Sequence, residues 1–400
     1  MIAPSRDRRL LFVISYHHAC NDGALIAIVA LLPILVDEMA LTFTEIGILG
    51  LGLLITVVAQ LVIGRLTDRA FSRYLLEVGA ALMALSFVLI LFVSDFVGLF
   101  MAVISMRIGA SFYHPVGISW ITREYAGPYL DTALGIQSGI GNFGVIAALA
   151  SSGFLGEAFG WKVPCIIWAI LNLAAVAFGL AFTKRHSVPD VARTRTRMIS
   201  ARDTITKIRY LIVPIAAGGA LYSVTTYFGP VNLTTMQGWS AGEADLLFAV
   251  WLGVGTVSSY YYGAIRARFD RGMIVSAGFA VSVLSLLALF VTSSWYLVTP
   301  ILVVYGAFMF LTYPALFAIV SEATSVEERG TAFGVVFAAQ LGGAAVMTYV
   351  CGIVADLFGD PSSAYLVTAA FVFASLVLFV ARKPRAAGAD LGSGYSPPSF

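Results

Sequence analysis

The chain has 400 residues, of which 59% are hydrophobic and only 12% are charged, and its net charge is +2 at pH 7. Soluble domains carry about 25% charged residues, so this composition excludes a soluble globular protein and indicates one that lies in a lipid bilayer. The nearly balanced charge gives no indication of a nucleic-acid partner.

Twelve apolar stretches are long enough to cross a membrane, which takes about 20 residues in a helix. Continuous apolar runs of this length form helices, whereas barrel strands are shorter and alternate between polar and apolar residues. We therefore predict an all-α integral membrane protein with twelve transmembrane helices, called spans one to twelve. They cover residues 10–36, 44–63, 72–93, 96–122, 131–156, 161–183, 209–234, 243–264, 272–292, 295–321, 331–355 and 362–381.

The distribution of charge predicts which side of the membrane each loop faces. If both termini are cytoplasmic, every Lys and Arg except Arg107 and Lys162 falls on the cytoplasmic side. The short loops on the other side carry acidic residues instead, namely Asp37, Glu38, Asp95, Glu157, Glu243, Asp245, Asp356 and Asp360. This positive-inside pattern predicts a multi-pass protein of the cell (inner) membrane with both termini in the cytoplasm. Residues 1–9 lead into span one without a small-residue cleavage site, so we expect them to be retained.

A basic stretch divides the spans into two sets of six. Because residues 184–208 follow an even number of spans, we interpret them as a cytoplasmic linker that faces anionic lipid, and not as a nucleic-acid site. The predicted domains are an N-terminal six-helix bundle over residues 1–183, this linker, a C-terminal six-helix bundle over 209–383 and a disordered tail over 384–400, which is rich in Gly, Ser and Pro.

The two halves repeat at a constant offset of 199 positions. At that offset Gly64 corresponds to Gly263, and the same shift matches three further positions: Pro115 with Pro314, Thr132 with Thr331 and Gly135 with Gly334. A constant offset across separated landmarks predicts two equivalent bundles related by a pseudo-twofold axis along the membrane normal. Transporters whose bundles rock around a central site have this arrangement.

The loop after span two reads Gly64-Arg-Leu-Thr-Asp-Arg-Ala-Phe-Ser-Arg73 and resembles the signature loop of the major facilitator superfamily. The resemblance implies two six-helix bundles, transport by alternating access and a latch on the cytoplasmic side. In that latch Gly64 would permit close helix approach and Asp68 would pair with or cap the opposite bundle, with further basic groups at Arg69, Arg73 and Arg268. Ala267 occupies the position of Asp68 in the second copy, so the latch should be asymmetric.

Three further segments resemble the fosmidomycin-resistance branch of that superfamily, whose members export drugs in exchange for protons. They are His18-Ala-Cys-Asn-Asp22 with Leu41-Thr-Phe-Thr-Glu-Ile-Gly47, then Ser111-Phe-Tyr-His-Pro115, then Gly141-Asn-Phe-Gly144. The chain departs from the branch at Val116, where a Glu is usual, and has Ala148-Leu149 where antiporters carry a Gly-Pro step in span five.

Asp22 is the predicted carrier of the coupling proton. It lies about 18 Å along span one, near the bilayer midplane, where a carboxylate is costly unless it is paired, hydrated or protonated. His18 precedes it by one helical turn, and Arg107 and His114 share a polar stripe of span four. An Asp22–Arg107 pair that forms and separates would switch the proton on Asp22, while a static buried pair that locks helix packing is the alternative. His114 is either a proton relay or a neutral packing histidine.

Polar and aromatic residues of both halves are predicted to bind the substrate. They are Asn21, Gln137 and Asn142 in the first half, and Tyr222, Tyr227, Asn232, Tyr313 and Gln340 in the second. No metal site is expected, because His17, His18, Cys20 and Asp22 do not converge on one point of a helix. No cofactor is expected either.

The predicted function is a proton-coupled secondary transporter that exports small organic or drug-like compounds. The main alternative is a symporter that imports a metabolite together with protons, which the Ala148-Leu149 step favours. A sensor with a transporter fold and a metal-ion exporter are remoter alternatives. An enzyme is not expected, because there is no phosphate-binding loop and no zinc-spaced helix pair. The expected partners are a small-molecule substrate, protons and the lipid bilayer, and we expect a monomer.

Overall fold

A computed structural model describes residues 5–69, 74–125, 128–183, 201–292, 294–325 and 328–381. Within these ranges the chain is almost entirely helical. The helices are α1 (Ser5–Ala30), α2 (Leu32–Met39), α3 (Phe43–Arg69), α4 (Tyr74–Ile90), α5 (Phe96–Ala110), α6 (Tyr113–Glu124), α7 (Pro128–Phe159), α8 (Lys162–Thr183), α9 (Ala201–Ile208), α10 (Ile212–Gln237), α11 (Ala241–Tyr260), α12 (Tyr262–Arg266), α13 (Arg271–Val291), α14 (Trp295–Ala323), α15 (Arg329–Phe358) and α16 (Ser363–Ala381).

These helices provide the twelve predicted spans. Ten stretches are long and apolar enough to cross a membrane unaided, and α1 with α2 makes an eleventh that is bent by 46°. The shorter apolar helix α4, with 17 residues, supplies span three. The twelve-helix architecture is thereby confirmed.

Two spans that were expected to be continuous are broken, and a proline follows each break. Span one is interrupted at Leu31, and Pro33 occupies the first turn of α2. Span four is interrupted between α5 and α6, where Pro115 lies in the first turn of α6. Proline has no N–H for the carbonyl four residues earlier and its ring clashes with that carbonyl, which accounts for both breaks.

The spans form two bundles of six. In the first, α1 packs along α7, and α4 packs against α5 and α8; in the second, α10 packs along α15, and α13 against α14 and α16. The predicted linker ends in helix α9, so its last eight residues belong to a regular element. Residues 184–200 and the predicted tail 384–400 lie outside the described part of the chain.

The bundles meet at one face of the molecule. We call the face at which α1 begins the terminal face, and the opposite one the far face. Towards the far face, Gly153 of α7 contacts Ala241 of α11, and Gly352 of α15 contacts Phe43 of α3. Near the starts of α7 and α15, at the terminal face, no atom lies within 4 Å of where a Cβ of Gly135 or Gly334 would be. The two bundles therefore touch at the far face, whereas these two glycines near the terminal face lie against open space.

Two carboxylates join the bundles at the far face. Glu157, at the end of α7, accepts hydrogen bonds from the backbone N–H groups of Ala241 (2.6 Å) and Gly242 (3.2 Å), which begin α11. Asp356, at the end of α15, accepts them from Phe43 (2.9 Å) and Thr44 (2.7 Å), which begin α3. Each carboxylate supplies the acceptor that a helix N-terminus lacks, and together they hold the far face closed.

Candidate functional site

A cavity of about 420 Å³ lies between the bundles, a size that suits a small organic ligand. Its walls are mainly apolar, with polar groups from both halves of the chain. The residues of α1, α3, α5, α6, α10 and α15 that line it include Asp22, Arg107 and His114 together with Leu25, Ile26, Leu53, Phe337 and Leu341.

His18, Asp22 and His114 form a cluster at the wall of this cavity. The Asp22 carboxylate lies 3.0 Å from His18 Nε2 and 3.5 Å from His114 Nε2, and it accepts a hydrogen bond from the Asn21 side chain at 2.8 Å. The His18 side chain is 9% exposed, that of Asp22 25% and that of His114 41%. His114 is therefore the member of the cluster that is most open to the cavity.

The segment Gly141-Asn-Phe-Gly144 of span five positions the ring of His18. A Cβ on Gly141 would lie 2.5 Å from His18 Nδ1, so the ring fits only against a glycine. The ring stacks on Tyr113, with centroids 4.4 Å apart, and His18 Nδ1 lies 2.9 Å from the backbone oxygen of Gln137. Gly144, three residues after Gly141, lies against the backbone of Ala19 and allows α7 to approach α1. Gly141 thus makes room for the His18 ring, and Gly144 lets the two helices pack closely.

Both ring nitrogens of His18 face acceptors. The Gln137 carbonyl only accepts hydrogen bonds, so Nδ1 must carry a hydrogen, and the contact between Nε2 and the Asp22 carboxylate needs a second one. A neutral imidazole carries one N–H. The pattern therefore requires an additional proton, either on the imidazole or on the carboxyl of Asp22.

The same cluster is the only group of three candidate metal-binding side chains found within the described residues. The three donor atoms lie within 4.8 Å of one another. Span one alone does not bring three donors together, but the third donor, His114, comes from span four. A cation other than a proton is therefore an alternative occupant of the cluster.

Arg107 lies in the cavity but pairs with a different residue than predicted. Its side chain packs over Gly52, where a Cβ would be 2.8 Å from Nε, and its Nη2 donates to the hydroxyl of Tyr227 at 2.5 Å. In the described part of the chain it makes no ion pair with Asp22, whose partners are the two histidines. Arg107 and Asp22 are thus separated in this conformation, in which His114 lies beside the carboxylate instead.

Half of the predicted substrate-binding residues line the cavity, namely Asn21, Tyr222, Tyr227 and Gln340. The other half do not, and each has a different place. Gln137 is buried and accepts from Tyr113, and Asn142 is exposed away from the cavity. Asn232 is buried beside Gln237, and Tyr313 donates to the backbone of Gly218. Their polar groups are used in helix packing or lie outside the cavity wall.

Four polar lining residues escaped the sequence analysis: Thr56, Gln60, Ser223 and Thr226. The signal that could have found them is helical spacing. Lining positions 219, 222, 223, 226 and 227 recur at intervals of three and four on α10, and 53, 56 and 60 do so on α3. Residue type alone identifies Tyr222 and Tyr227 on this face of α10 but not Ser223 and Thr226, which lie between them, and it wrongly adds Asn232.

The predicted latch residues are only partly described. Gly64 faces Pro115 of its own bundle, and a Cβ there would still lie 3.9 Å away, so no close approach depends on this glycine here. Arg268 is exposed beyond the end of α12. The side chains of Asp68 and Arg69, and the whole of Arg73, lie outside the described residues.

Comparison with known proteins agrees with the fold. The family model of the Major Facilitator Superfamily matches residues 17–236 and 211–397. The fosmidomycin resistance protein of Escherichia coli (strain K12) is 22% identical over 355 residues, which cover 87% of this chain and 86% of that protein. The uncharacterized MFS-type transporter YfnC of Bacillus subtilis (strain 168) is 32% identical over 136 residues, only about a third of either chain.

A solved structure, that of the nucleoside transporter NupG, superposes with a TM-score of 0.79 at 16% identity and covers 94% of this chain and 99% of its own. At that identity the likeness concerns the fold alone. The family model, in contrast, matches nearly the whole chain, including both bundles and the cavity between them. This chain belongs to the Major Facilitator Superfamily, and it is accordingly a membrane transporter that works by alternating access and not an enzyme.

Proposed function

We propose that the chain exports small organic or drug-like compounds in exchange for protons, and that His18 and Asp22 hold the coupling proton. The proposal of proton coupling rests on one observation. Both ring nitrogens of His18 face acceptors, and one of these acceptors is the Asp22 carboxylate in the wall of the central cavity. A shared proton satisfies this arrangement. Its removal leaves a lone pair facing a carboxylate, which drives the two groups apart.

His114 connects this pair to the cavity. It is the most exposed of the three side chains and lies 3.5 Å from Asp22. With both termini in the cytoplasm, the open terminal face is the cytoplasmic side, so the conformation described here faces inward. Protons then leave Asp22 for the cytoplasm through His114.

Arg107 sets the proton affinity of Asp22 by changing partners. It is held by Tyr227 of α10, which belongs to the other bundle. When the bundles rock, α5 and α10 move relative to each other and this hydrogen bond breaks. The freed guanidinium can then approach Asp22, and a nearby cation favours the ionised carboxylate and hence release of the proton.

The direction of transport rests on the relatives. The similarity to a protein named for fosmidomycin resistance, over 87% of the chain, favours export. Import together with protons is the second candidate, because Ala148 and Leu149 occupy the place of the Gly-Pro step of antiporters. In either case the compound binds among Tyr222, Gln340 and the apolar wall of the cavity.

Proton binding can be tested before the substrate is known. Purified protein in liposomes on a solid-supported membrane should give a charge displacement after a pH jump. Asp22→Asn and His18→Asn should abolish the signal, while His17→Gln, which changes the adjacent buried histidine outside the cluster, should keep it. Undiminished signals in Asp22→Asn would contradict the proposal. A signal that is lost with a chelator and restored by Zn²⁺ would assign the cluster to a metal ion instead.

The substrate and direction need a second experiment. Ligands that bind only the folded state raise its apparent stability, so a thermal-shift screen, with fosmidomycin as the first probe, can identify candidates. Transport of a hit is then measured in liposomes under opposite pH gradients. Movement of the compound in the direction opposite to the proton flow supports exchange. Movement of the compound in the same direction as the protons supports symport. Asp22→Asn should lose gradient-driven accumulation but retain substrate exchange, and full accumulation by this variant would refute proton coupling at Asp22.

The cytoplasmic latch is a further part of this proposal. Asp68, with Arg69 and Arg73, is expected to pair with or cap the second bundle when the cytoplasmic side is shut, an expectation based on the signature loop. Asp68→Ala should then slow transport and favour the inward-facing state. Unchanged transport and an unchanged conformational equilibrium would remove the latch from the mechanism.

A further inference from the structure

A second carboxyl group lies buried between the bundles, far from the cavity lining. From the charge pattern we expect Asp245 among the acidic residues of the outer loops, but α11 begins at Ala241 and Asp245 is its fifth residue. Its side chain is 0% exposed, and among the described residues no side chain donates a hydrogen bond to either carboxyl oxygen, which lies against the backbone of Gly153. A buried carboxyl without a cationic partner is rare because burial strongly disfavours its ionised form.

Asp245 points at α7 in the contact that closes the far face. Its Oδ2 lies 2.6 Å from where a Cβ of Gly153 would be, so this glycine makes the space that the carboxyl fills. One turn further along α7, Glu157 caps the backbone N–H groups of Ala241 and Gly242. The positive end of the α11 helix dipole would stabilise a nearby anion, but the carboxylate of Glu157 already binds there.

No cation offsets a charge on Asp245 among the described residues of the helices packed on α11. The facing acidic group is Glu157 of α7, and Glu243 of α11 is engaged with Ser240 in a capping box. Helix α10 contains no charged residue, and the charged residue of α14, Glu322, lies at the opposite end of that helix. Arg266 of α12 also lies beyond the other end of α11. With Asp245 ionised, two like charges would lie close together in a sealed contact.

The pseudo-twofold repeat supplies a comparison within the same molecule. At the offset of 199 positions, Gly153 corresponds to Gly352, Glu157 to Asp356 and Asp245 to Ile46. The contact of α3 with α15 is therefore built like that of α11 with α7, but with a fully buried isoleucine in place of the carboxyl. An apolar side chain is sufficient to close this contact. Packing alone does not require a carboxyl at position 245.

We propose that Asp245 is a second proton-binding site, which must take up a proton from the far side before α7 and α11 can close on each other. When the far face is open, water reaches the carboxyl and it can ionise. When the face closes, it is stripped of water and only the neutral form fits. That the far face is the outer side of the membrane rests on the proposed function. Acid outside would then favour the inward-facing state, and outward opening would release this proton.

The experiment measures closure of the far face as a function of pH. Spin labels are placed at Phe159 and Met236, exposed residues at the far-face ends of α7 and α10, and pulsed EPR distances are recorded between pH 5 and 9. A single linked proton changes an equilibrium by up to about tenfold per pH unit. In the wild type, the ratio of open to closed molecules should rise by at least about tenfold over this range.

Asp245→Asn and Asp245→Leu should remain closed throughout, with less than about a twofold change of the ratio. The leucine variant copies the apolar counterpart Ile46 and serves where the asparagine variant folds poorly. His17→Gln, which changes a buried histidine outside both proton sites, is the control and should keep the pH response of the far face. A wild-type ratio that does not change with pH, or a normal pH response in both Asp245 variants, would overturn the inference. A response lost in Asp22→Asn but kept in the Asp245 variants would assign it to the central site, overturning this inference and leaving the proposed function intact.

Discussion

Arg107 of the first bundle donates a hydrogen bond from Nη2 to the hydroxyl of Tyr227 in the second, at a distance of 2.5 Å. Arg107 is 4% exposed and Tyr227 is 5% exposed, so water cannot replace this partner while the far face is closed. The bond links the bundles inside the cavity, on the terminal side of the closed far face. It therefore contributes to the stability of this conformation.

The first prediction concerns Tyr227→Phe. The change removes the hydroxyl and leaves a buried guanidinium N–H without its acceptor, and hydrogen bonds to charged groups are worth about 1.5–3 kcal/mol. The far-face-closed state should lose roughly tenfold or more in population relative to the open one. Distances between spin labels at the far-face ends of the two bundles measure this ratio. Tyr222→Phe, a neighbouring cavity tyrosine, is the control and should change it little; equal effects of both variants would argue against a specific role of the Arg107 bond.

The architecture could be predicted because the features that indicate it can be read directly from the order of residues in the chain. Apolar runs, the charge bias and the repeat with an offset of 199 positions need no knowledge of tertiary contacts. The site was harder to predict. His18 and Asp22 were placed on one face of a helix correctly, since a spacing of four residues brings two side chains together whatever the rest of the fold does. His114 was also named from its place on the polar stripe of span four, but its contact with Asp22 depends on how α6 packs against α1.

Contacts between helices explain the misses. Asn142 and Gln137 lie in the same helix, and only the packing of α7 against α1 decides that the first is exposed and the second is buried beside Tyr113. Asp245 was assigned to a loop because acidic residues are common in outer loops, and nothing local indicates that Gly153 of a distant helix makes room for it. Such positions follow from pairs of residues far apart in the chain, which a single sequence does not reveal.

The second prediction concerns Gly141→Ala. A methyl group there would lie 2.5 Å from two atoms of the His18 ring and clash with it. The imidazole must therefore move away from Asp22, or the backbone of α7 must shift. Overpacking of this kind costs about 1–3 kcal/mol in stability. Proton-induced charge displacement should fall at least severalfold, and its pH profile should shift because the His18–Asp22 contact is disturbed.

Gly139→Ala is the matched control for this change. Gly139 lies on the same helix, and no atom is found within 4 Å of where its Cβ would be. The control should therefore keep the pH profile of the wild type. If both alanine variants lose the signal equally, the effect comes from α7 as a whole and not from the position of the His18 ring.

The third prediction concerns the attachment of α9 to the second bundle. Lys207 of α9 donates to Glu328, which precedes α15, at 2.7 and 2.9 Å. The hydrogen bonds from Lys207, followed by that from the Ser325 N–H, hold the pKa of Glu328 below its ordinary value of 4.5. A carboxyl with a lowered pKa stabilises the contact at pH values above its ordinary pKa, and this contribution is lost as the pH falls through the lowered one.

A spin label at Arg202, an exposed residue of α9, should therefore be immobile at pH 7 and become more mobile below about pH 4.5. In Glu328→Gln the label should be mobile at both pH values, because the charge that pairs with Lys207 is absent. Equal mobility of the wild type and this variant at pH 7 would mean that the ion pair does not hold α9.

The last prediction concerns the two carboxylate caps of the far face, Glu157 and Asp356. Each joins the end of one helix to the beginning of a helix in the other bundle, and the two contacts are related by the repeat. Loss of a cap typically costs about 1 kcal/mol, which corresponds to about fivefold in a two-state equilibrium. Glu157→Ala and Asp356→Ala should each raise the far-face-open population by about that factor.

Because the caps lie in separate contacts, their effects should add, and the double variant should open the far face by about 25-fold. Glu243→Ala is the control. Glu243 caps the same helix as Glu157, but its partner Ser240 belongs to its own bundle, so the variant can destabilise α11 without separating the bundles. An effect of Glu243→Ala as large as that of Glu157→Ala would show that fraying of α11, and not the connection between the bundles, controls the far face. If the effects of the two cap variants add and Glu243→Ala has no effect, the two caps form the gate of the far face.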